Sequence, residues 1–310
     1  MPLISVVSPC FNEEGNVEEM VRRVSRVFEA LPGYDYEYIF IDNASTDATL
    51  QILKRIAHEN KRIKIIVNTR NFGHNRSPYY ALLQATGDAV IFLASDMQDP
   101  PEMIADFINK WEEGYKVVLA VKTQSSETAA MFFVRKLYYD LINRLSDVEL
   151  IKNSTGFGLY DRRVIEIIRD INDPYPYMRG LIGEIGFETA KIEYAQPARK
   201  RGISKNNFFT LYDLAMLGIT SHSKIPLRLA TMLGFASSIV SLSAALIYFI
   251  YKLIFWYSLS VGIAPLVIGL FFFSSVQLFF LGIIGEYIGS IHTQVLKRPL
   301  VVEKERINFD

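Results

Sequence analysis

Strand-like and helix-like patterns alternate over the first two thirds of the chain, and two long uncharged runs follow, which together predict an α/β domain carrying a helical hairpin. The domain is expected to hold a mostly parallel sheet with helices on both faces. Three observations support this: short β-branched runs separated by helical periodicities, polar clusters directly after those runs, and a single charge, Lys252, between Leu229 and Gly285.

Leu3 to Ser8 reads as the first strand, and Val17, Met20, Val21, Val24, Val27 and Leu31 then repeat at helical spacing. Tyr36 to Ile41 alternates into a second strand, Thr46 to Ala57 reads as a helix, and Ile63 to Val67 gives a third strand. A helix at about 76–86 leads through Gly87-Asp88 into a strand at Ala89 to Ala94. A helix at 101–113 and a strand at Lys116 to Val121 come next. No internal repeat or low-complexity stretch interrupts the series.

In parallel sheets of this kind ligands collect beyond the carboxyl ends of the strands, so the residues there matter most. They are Pro9-Cys10-Phe11-Asn12-Glu13-Glu14, Asp42-Asn43-Ala44-Ser45-Thr46-Asp47 and Ser95-Asp96-Met97-Gln98-Asp99-Pro100. Helix capping accounts for some of them, since Asp, Asn and Ser are preferred before a helix. Asp99 before Pro100 and Pro101 fits an N-cap, and Ser45 and Asp47 fit the helix that follows them. Asp42 and Asp96 sit at strand ends, ahead of any cap, where a carboxylate can face a ligand. Asp96 and Gln98 supply oxygens of the kind that hold a divalent cation, and magnesium takes its remaining ligands from phosphates and water.

Lys+Arg and Asp+Glu balance at 33 each, so nothing global argues for nucleic acid. Basic character is local: Arg199-Lys200-Arg201-Gly202-Ile203-Ser204-Lys205 can wrap a phosphate, or can touch anionic lipid headgroups. Arg135 and Lys136 are further phosphate candidates, with solvated helix charges as the alternative. A lone cysteine, Cys10, offers neither an internal disulfide nor a thiolate cluster and suits a reducing compartment. The N-terminus lacks the pattern of a signal peptide, so the first domain is expected in the cytoplasm.

Arg228 and Lys252 bracket 23 uncharged residues, and Lys252 and Glu286 bracket 33, each enough to cross a hydrocarbon core. Spans are expected near 229–251 and 265–288, with Pro265 in the first turn of the second and Trp256 and Tyr257 at an interfacial turn. Lys224, Arg228, Lys297, Arg298, Lys304 and Arg306 flank the pair on one side, which places both termini in the cytoplasm. Phe208 to Ile219 is either an interfacial helix or a core helix. The expected organisation is a cytoplasmic domain over 1–205, an interfacial segment over 206–228, two transmembrane helices over 229–290 and a cytoplasmic tail over 291–310. Helices exposing so much Phe, Gly and Ser suggest packing with copies of themselves, hence a homo-oligomer.

Taken together, the motifs resemble the family 2 glycosyltransferases of GT-A fold, specifically the bacterial polyprenyl-phosphate glycosyltransferases and the dolichyl-phosphate mannose synthases. The resemblance implies a Rossmann-like GT-A domain, with Pro9, Phe11, Asn12, Glu14, Asp42, Asn43, Asn71, Gly73, Ser95 and Asp96 around a nucleotide-sugar. It implies Mg2+ or Mn2+ on Asp96 and Gln98, catalytic roles for Asp96 and Asp161, and an acceptor lipid phosphate on Arg135, Lys136, Arg199, Arg201, Ser204 and Lys205. The implied activity is inverting transfer of a hexose, UDP-glucose being the favoured donor, to polyprenyl (undecaprenyl) phosphate at the inner membrane. GDP-mannose or a modified sugar is the alternative donor, and a non-catalytic nucleotide-sugar sensor the alternative class. Three positions depart from the family pattern: Ala94 replaces the first aspartate of the metal motif, Asn43 the second aspartate of the donor loop, and Ala44 the neighbouring glycine.

Overall fold

The computed structural model describes residues 1–123, 151, 154–197, 216–220, 223–255 and 263–309. An eight-stranded sheet forms the centre of the domain, with strands in the order β7-β5-β6-β4-β1-β2-β3-β8. Its members are β1 (Leu3–Cys10), β2 (Asp35–Asp42), β3 (Ile63–Asn68), β4 (Ala89–Phe92), β5 (Val117–Lys122), β6 (Ser154–Asp161), β7 (Thr189–Tyr194) and β8 (Glu303–Ile307). β1 pairs in parallel with β2 and β4, β2 with β3, and β5 with β7, whereas β6 runs antiparallel to β4 and β5, and β8 antiparallel to β3. The expected parallel centre is present, and the three antiparallel pairings make the whole sheet mixed.

Alternation along the strands sends side chains to two separate cores. Ile4, Val6, Tyr38, Phe40, Ile63, Ile65 and Ile91 face one layer, where α1 (Val17–Glu29), α2 (Thr49–Glu59) and α4 (Ile104–Glu112) bury Met20, Val24, Leu53 and Phe107. Val7, Ile39, Ile41, Ile66 and Val90 face the other, against α3 (Gly73–Gln84), α5 (Arg162–Ile171) and α6 (Met178–Ile185). Both faces are covered, which explains why the central strands read as continuous apolar runs.

Two long helices follow, α7 (Ile225–Ile254) and α8 (Ile263–Val295). Each contains a stretch long and apolar enough to cross a membrane, Ile225–Tyr251 and Ile268–Val295, and neither stretch is buried within the protein. Their domain-proximal ends touch: the Tyr287 hydroxyl donates to the Ser223 carbonyl at 2.7 Å. Residues 216–220, inside the segment expected at the interface, are helical, and Leu217 is buried against Tyr177.

The expected C-terminal tail is corrected by the structure. α8 runs on to Val295, and Glu303–Ile307 forms β8 on the open edge of β3. Asn308 donates to the carbonyls of Ala57 and Ile63 at 2.7 and 2.8 Å, and Lys54 pairs with Glu305. Arg306 binds Glu303 and Gln84, so on the domain side of the hairpin it also braces the sheet.

Candidate active site

β1, β2, β3 and β4 all point their carboxyl ends to one edge, so the loops after them meet there. The first two loops are laced together. Asn12 donates its backbone N–H to Ser45 Oγ at 3.0 Å and accepts the Thr46 N–H on Oδ1 at 2.8 Å. The Glu13 N–H reaches Thr49 Oγ1, the Glu14 N–H reaches Asp47 Oδ2, and Glu14 Oε2 accepts the Ala48 N–H at the start of α2. Glu14 thus satisfies the Ala48 N–H, while Asp47 Oδ1 accepts the N–H of Thr49, the first residue of α2, at 3.0 Å. Asn12 and Ala44 both adopt left-handed backbone, with φ of +60° and +62°.

Asn43 sits at the centre of an amide cluster, buried at Asn43 and Asn68 and open to solvent at Asn71. Its Nδ2 donates to Asn71 Oδ1 at 2.9 Å and to the Gly73 carbonyl at 3.2 Å, while its Oδ1 accepts from Asn68 Nδ2 and from the Phe72 N–H. The cluster fixes the 68–73 loop beside the donor loops, and Arg70 stacks over Phe72 at 4.0 Å. Asn68, the last residue of β3, escaped the sequence reading; the visible signal was an asparagine ending an apolar strand. Asp42 is fully buried at the end of β2 and accepts the Ser45 N–H on both oxygens at 3.3 and 3.2 Å. Burial raises its pKa, with Ser45 only partly offsetting that, so Asp42 shapes the loop rather than presenting an open carboxylate. Burial, with Asp42 nearby, also pushes the Cys10 thiol up, leaving it inert.

After β4 the chain turns sharply. Ser95 Oγ donates to the Pro9 carbonyl at 2.7 Å, Asp96 Oδ1 accepts the Gln98 N–H at 3.2 Å, and Met97 is left-handed with φ +62°. Asp99 does not cap the helix after it. It is buried and accepts the Tyr194 hydroxyl at 2.6 Å, pinning the loop to β7, while the cap position falls to Pro100. Ser95 and Asp99 therefore turn away from the loop's open side, and Asp96 and Gln98 remain half-exposed there. Among the described residues no cluster of three His, Cys, Asp or Glu side chains forms. One carboxylate and one amide fit a cation that completes its shell with phosphate oxygens and water.

Asp161 requires a correction. It is paired with Ala89, the first residue of β4, whereas Asp96 lies past the last. The strand alone separates them by about 10 Å, at roughly 3.3 Å per residue, and puts them on opposite edges of the sheet. Asp161 is buried, caps α5 by accepting the Arg163 N–H at 3.0 Å, and accepts from Trp111 Nε1 at 2.7 Å and Lys116 Nζ at 2.9 Å. Burial pushes its pKa up, but these donors win and hold it below the ordinary carboxylate range. It is a structural carboxylate. Because β6 runs antiparallel to β4, its opposite end, Ser154 to Gly156, is the part that reaches the donor edge. Arg135, Lys136, Arg199, Arg201, Ser204 and Lys205 lie outside the described residues.

Residues 5–168 match the family described as glycosyl transferase family 2. A bactoprenol glucosyl transferase of Shigella phage SfII is 35% identical over 303 residues, covering 97% of each chain. A prophage bactoprenol glucosyl transferase homolog of Escherichia coli (strain K12) is 34% identical over 305 residues, covering 97% of this chain and 98% of that protein. Among solved structures, glucosyl-3-phosphoglycerate synthase from Mycobacterium tuberculosis, in complex with Mn2+, UDP and phosphoglyceric acid, aligns with a TM-score of 0.48 at 19% identity, over 71% of this chain and 76% of that one. The family match over more than half the chain, and relatives matched along nearly their whole length, agree with the α/β sheet and its laced loops: the chain belongs to glycosyl transferase family 2 and is a glycosyltransferase.

Proposed function

We propose that this enzyme moves a hexose, with inversion, from a nucleotide-sugar onto a polyprenyl phosphate at the cytoplasmic face of a membrane, with UDP-glucose as the favoured donor. One observation carries the reading: the chain leaves the domain through α7, returns through α8, and then pairs β8 with β3, whose end forms the donor edge. A domain joined at both ends of an apolar hairpin holds its donor loops beside the bilayer, with both flanks on one side. The names of the phage and prophage relatives support a bactoprenol-type acceptor.

In the proposed reaction a phosphate oxygen of the lipid forms the new bond to the anomeric carbon. The bond from that carbon to the donor's β-phosphate breaks, and the nucleoside diphosphate leaves with the electron pair. A phosphate monoester has its second pKa near about 6, so the nucleophile is already largely dianionic at neutral pH and needs no strong base. The structural role of Asp161 is consistent with that. Asp96 and Gln98 would hold a Mg2+ or Mn2+ ion, which when bound neutralises charge on the leaving diphosphate. Asn43, Asn71 and Gly73 would set the wall against the nucleotide, and the laced loops of Asn12, Glu14 and Ser45 would keep it in place.

The test uses the purified full chain with undecaprenyl phosphate, magnesium or manganese, and radiolabelled UDP-glucose or GDP-mannose in separate reactions. A labelled glycolipid from UDP-glucose, with the anomeric configuration opposite to the donor's by NMR, is expected. Label transferred only from GDP-mannose would overturn the donor assignment, and no glycolipid from either donor would overturn the proposed pairing of a hexose donor with undecaprenyl phosphate.

A further inference from the structure

Phe72 is buried behind the donor edge, and two guanidinium groups lie over its ring, Arg70 at 4.0 Å and Arg76 at 5.6 Å from the centroid. Its N–H goes to Asn43 Oδ1 at 2.9 Å, so the ring is tied to the amide cluster that holds Asn71 and Gly73. Arg76 lies in the first turn of α3 and also donates from Nη2 to the Pro299 carbonyl. Pro299 belongs to the strap, residues 296–302, that joins α8 to β8. Farther along that strap Val301 is buried, and the Val302 carbonyl accepts the Thr69 N–H at 2.9 Å and the Thr69 hydroxyl at 3.1 Å. One side chain, Arg76, therefore reaches both the strap that returns from the apolar hairpin and the aromatic ring behind the donor loop.

This placement is unfavourable for the fold. Arg76 Nε is buried without a hydrogen-bond partner among the described residues, and a buried donor left unmade is destabilising. Burial, and then the Arg70 charge, lower the Arg76 pKa; Tyr175 opposes this, and Arg298 adds to it. A cation whose pKa falls on folding is disfavoured in the folded state at neutral pH. An unbranched apolar side chain of similar length would lie against Phe72 without either penalty, so packing alone does not account for an arginine at position 76. What arginine adds is the bond to Pro299.

We propose that Arg76 is a positioning residue for the donor: it fastens Phe72, and with it the Asn71–Gly73 wall, to the strap that returns from the hairpin. The inference rests on the nucleotide-sugar reading above and names what holds that wall. A loop already fixed at Phe72 loses less freedom when the nucleotide binds, so Arg76 acts on donor affinity and not on the bond-forming step.

The test compares Arg76→Met, which keeps the length but removes the donor to Pro299 and the charge, with Arg76→Lys, which keeps both. UDP and GDP, each with magnesium, are titrated calorimetrically into the full chain in detergent, and the nucleotide that binds wild type more tightly serves as the probe. Arg76→Met should bind it at least fivefold more weakly while unfolding at or above the wild-type temperature, and Arg76→Lys should stay within twofold of wild type. Amide hydrogen exchange over residues 69–73 should quicken in Arg76→Met and not in Arg76→Lys. In turnover, the donor KM should rise in Arg76→Met with kcat within twofold. Unchanged nucleotide affinity in Arg76→Met, an equal loss in Arg76→Lys, or a loss accompanied by a lowered unfolding temperature in Arg76→Met would each overturn the assignment, the last by making the residue merely structural. Wild-type protein that binds neither nucleotide would instead remove the nucleotide-sugar reading and this inference with it, so the two failures are read from different proteins.

Discussion

The Asn43 side chain donates to Asn71 Oδ1 at 2.9 Å, and Asn71 cannot turn its amide to suit another partner because the same oxygen accepts the Gly73 N–H at 2.8 Å. Position 43 must therefore provide a donor. An aspartate there would set its carboxylate against Asn71 Oδ1 and the Gly73 carbonyl. Asn43→Asp is expected to cost about 0.5–1.5 kcal/mol, the range for losing a hydrogen bond whose partners stay open to water, and to weaken UDP binding. Thermal unfolding and UDP titration of the variant check this, and wild-type values for both would contradict it.

Ala44 illustrates the opposite case, a departure that costs stability. Its φ of +62° lies where L residues other than Asn and Asp are disfavoured, by about 1–2 kcal/mol, and no side-chain hydrogen bond compensates an alanine. Ala44→Gly relieves the clash but adds freedom to the unfolded chain, so a net gain of about 0.5–1 kcal/mol is expected. A raised unfolding temperature with unchanged donor KM would bear this out; a lowered one would show that the Ala44 methyl has contacts that matter.

For Asp161 the expected signature is structural. Asp161→Asn should lower stability while leaving both donor and acceptor KM near wild type at temperatures where the variant is folded. The pH dependence has a definite sign. A carboxylate held below its ordinary pKa stabilises the fold above the unfolded value near 3.8, and that contribution disappears as pH falls through the folded value. Wild-type stability should thus drop more steeply below about pH 4 than that of Asp161→Asn. Loss of turnover in a fully folded Asp161→Asn protein would restore a direct catalytic role.

Much of this arrangement is legible in sequence, because periodicity reports burial: the first five strands and four helices follow from where Val, Ile, Leu and Phe recur. The polar loops are legible too, since Asn12, Asp42, Asn43 and Asp96 break apolar runs at strand ends. Long-range pairing is not. Nothing local says that Glu303–Ile307 crosses back to β3, or that β6 runs antiparallel to β4 and so carries Asp161 to the far edge. The fate of Asp99 was hidden for the same reason, because its partner Tyr194 lies 95 residues away.

Asp99 shows the reverse pH behaviour of Asp161. Burial raises its pKa to about 6, with the Tyr194 hydrogen bond opposing and Asp96 adding to the shift. Between its unfolded value near 3.8 and about 6 the folded protein binds more protons than the unfolded one, so this group lowers stability as pH rises through that window. Asp99→Asn keeps an acceptor for Tyr194 without the charge. It should match wild type near pH 4 and exceed it above pH 7 by roughly 1–3 kcal/mol. Unfolding measured at both pH values checks this, and equal differences at the two would mean that Asp99 does not titrate in that window.

The β8 strap carries the last prediction. Deleting residues 299–310 would strip the β3 edge of its antiparallel partner and expose a row of unpaired N–H and C=O groups over an apolar strand. It would also remove the Val302 carbonyl that accepts from the Thr69 N–H at 2.9 Å, one residue beyond Asn68 in the amide cluster. The truncated chain is therefore expected both to aggregate in detergent and to bind UDP more weakly, because the 68–73 loop loses its outer support. Size-exclusion chromatography and UDP titration measure the two effects separately. A monodisperse truncated protein with wild-type UDP affinity would show that β8 merely follows the hairpin home and does not brace the donor edge.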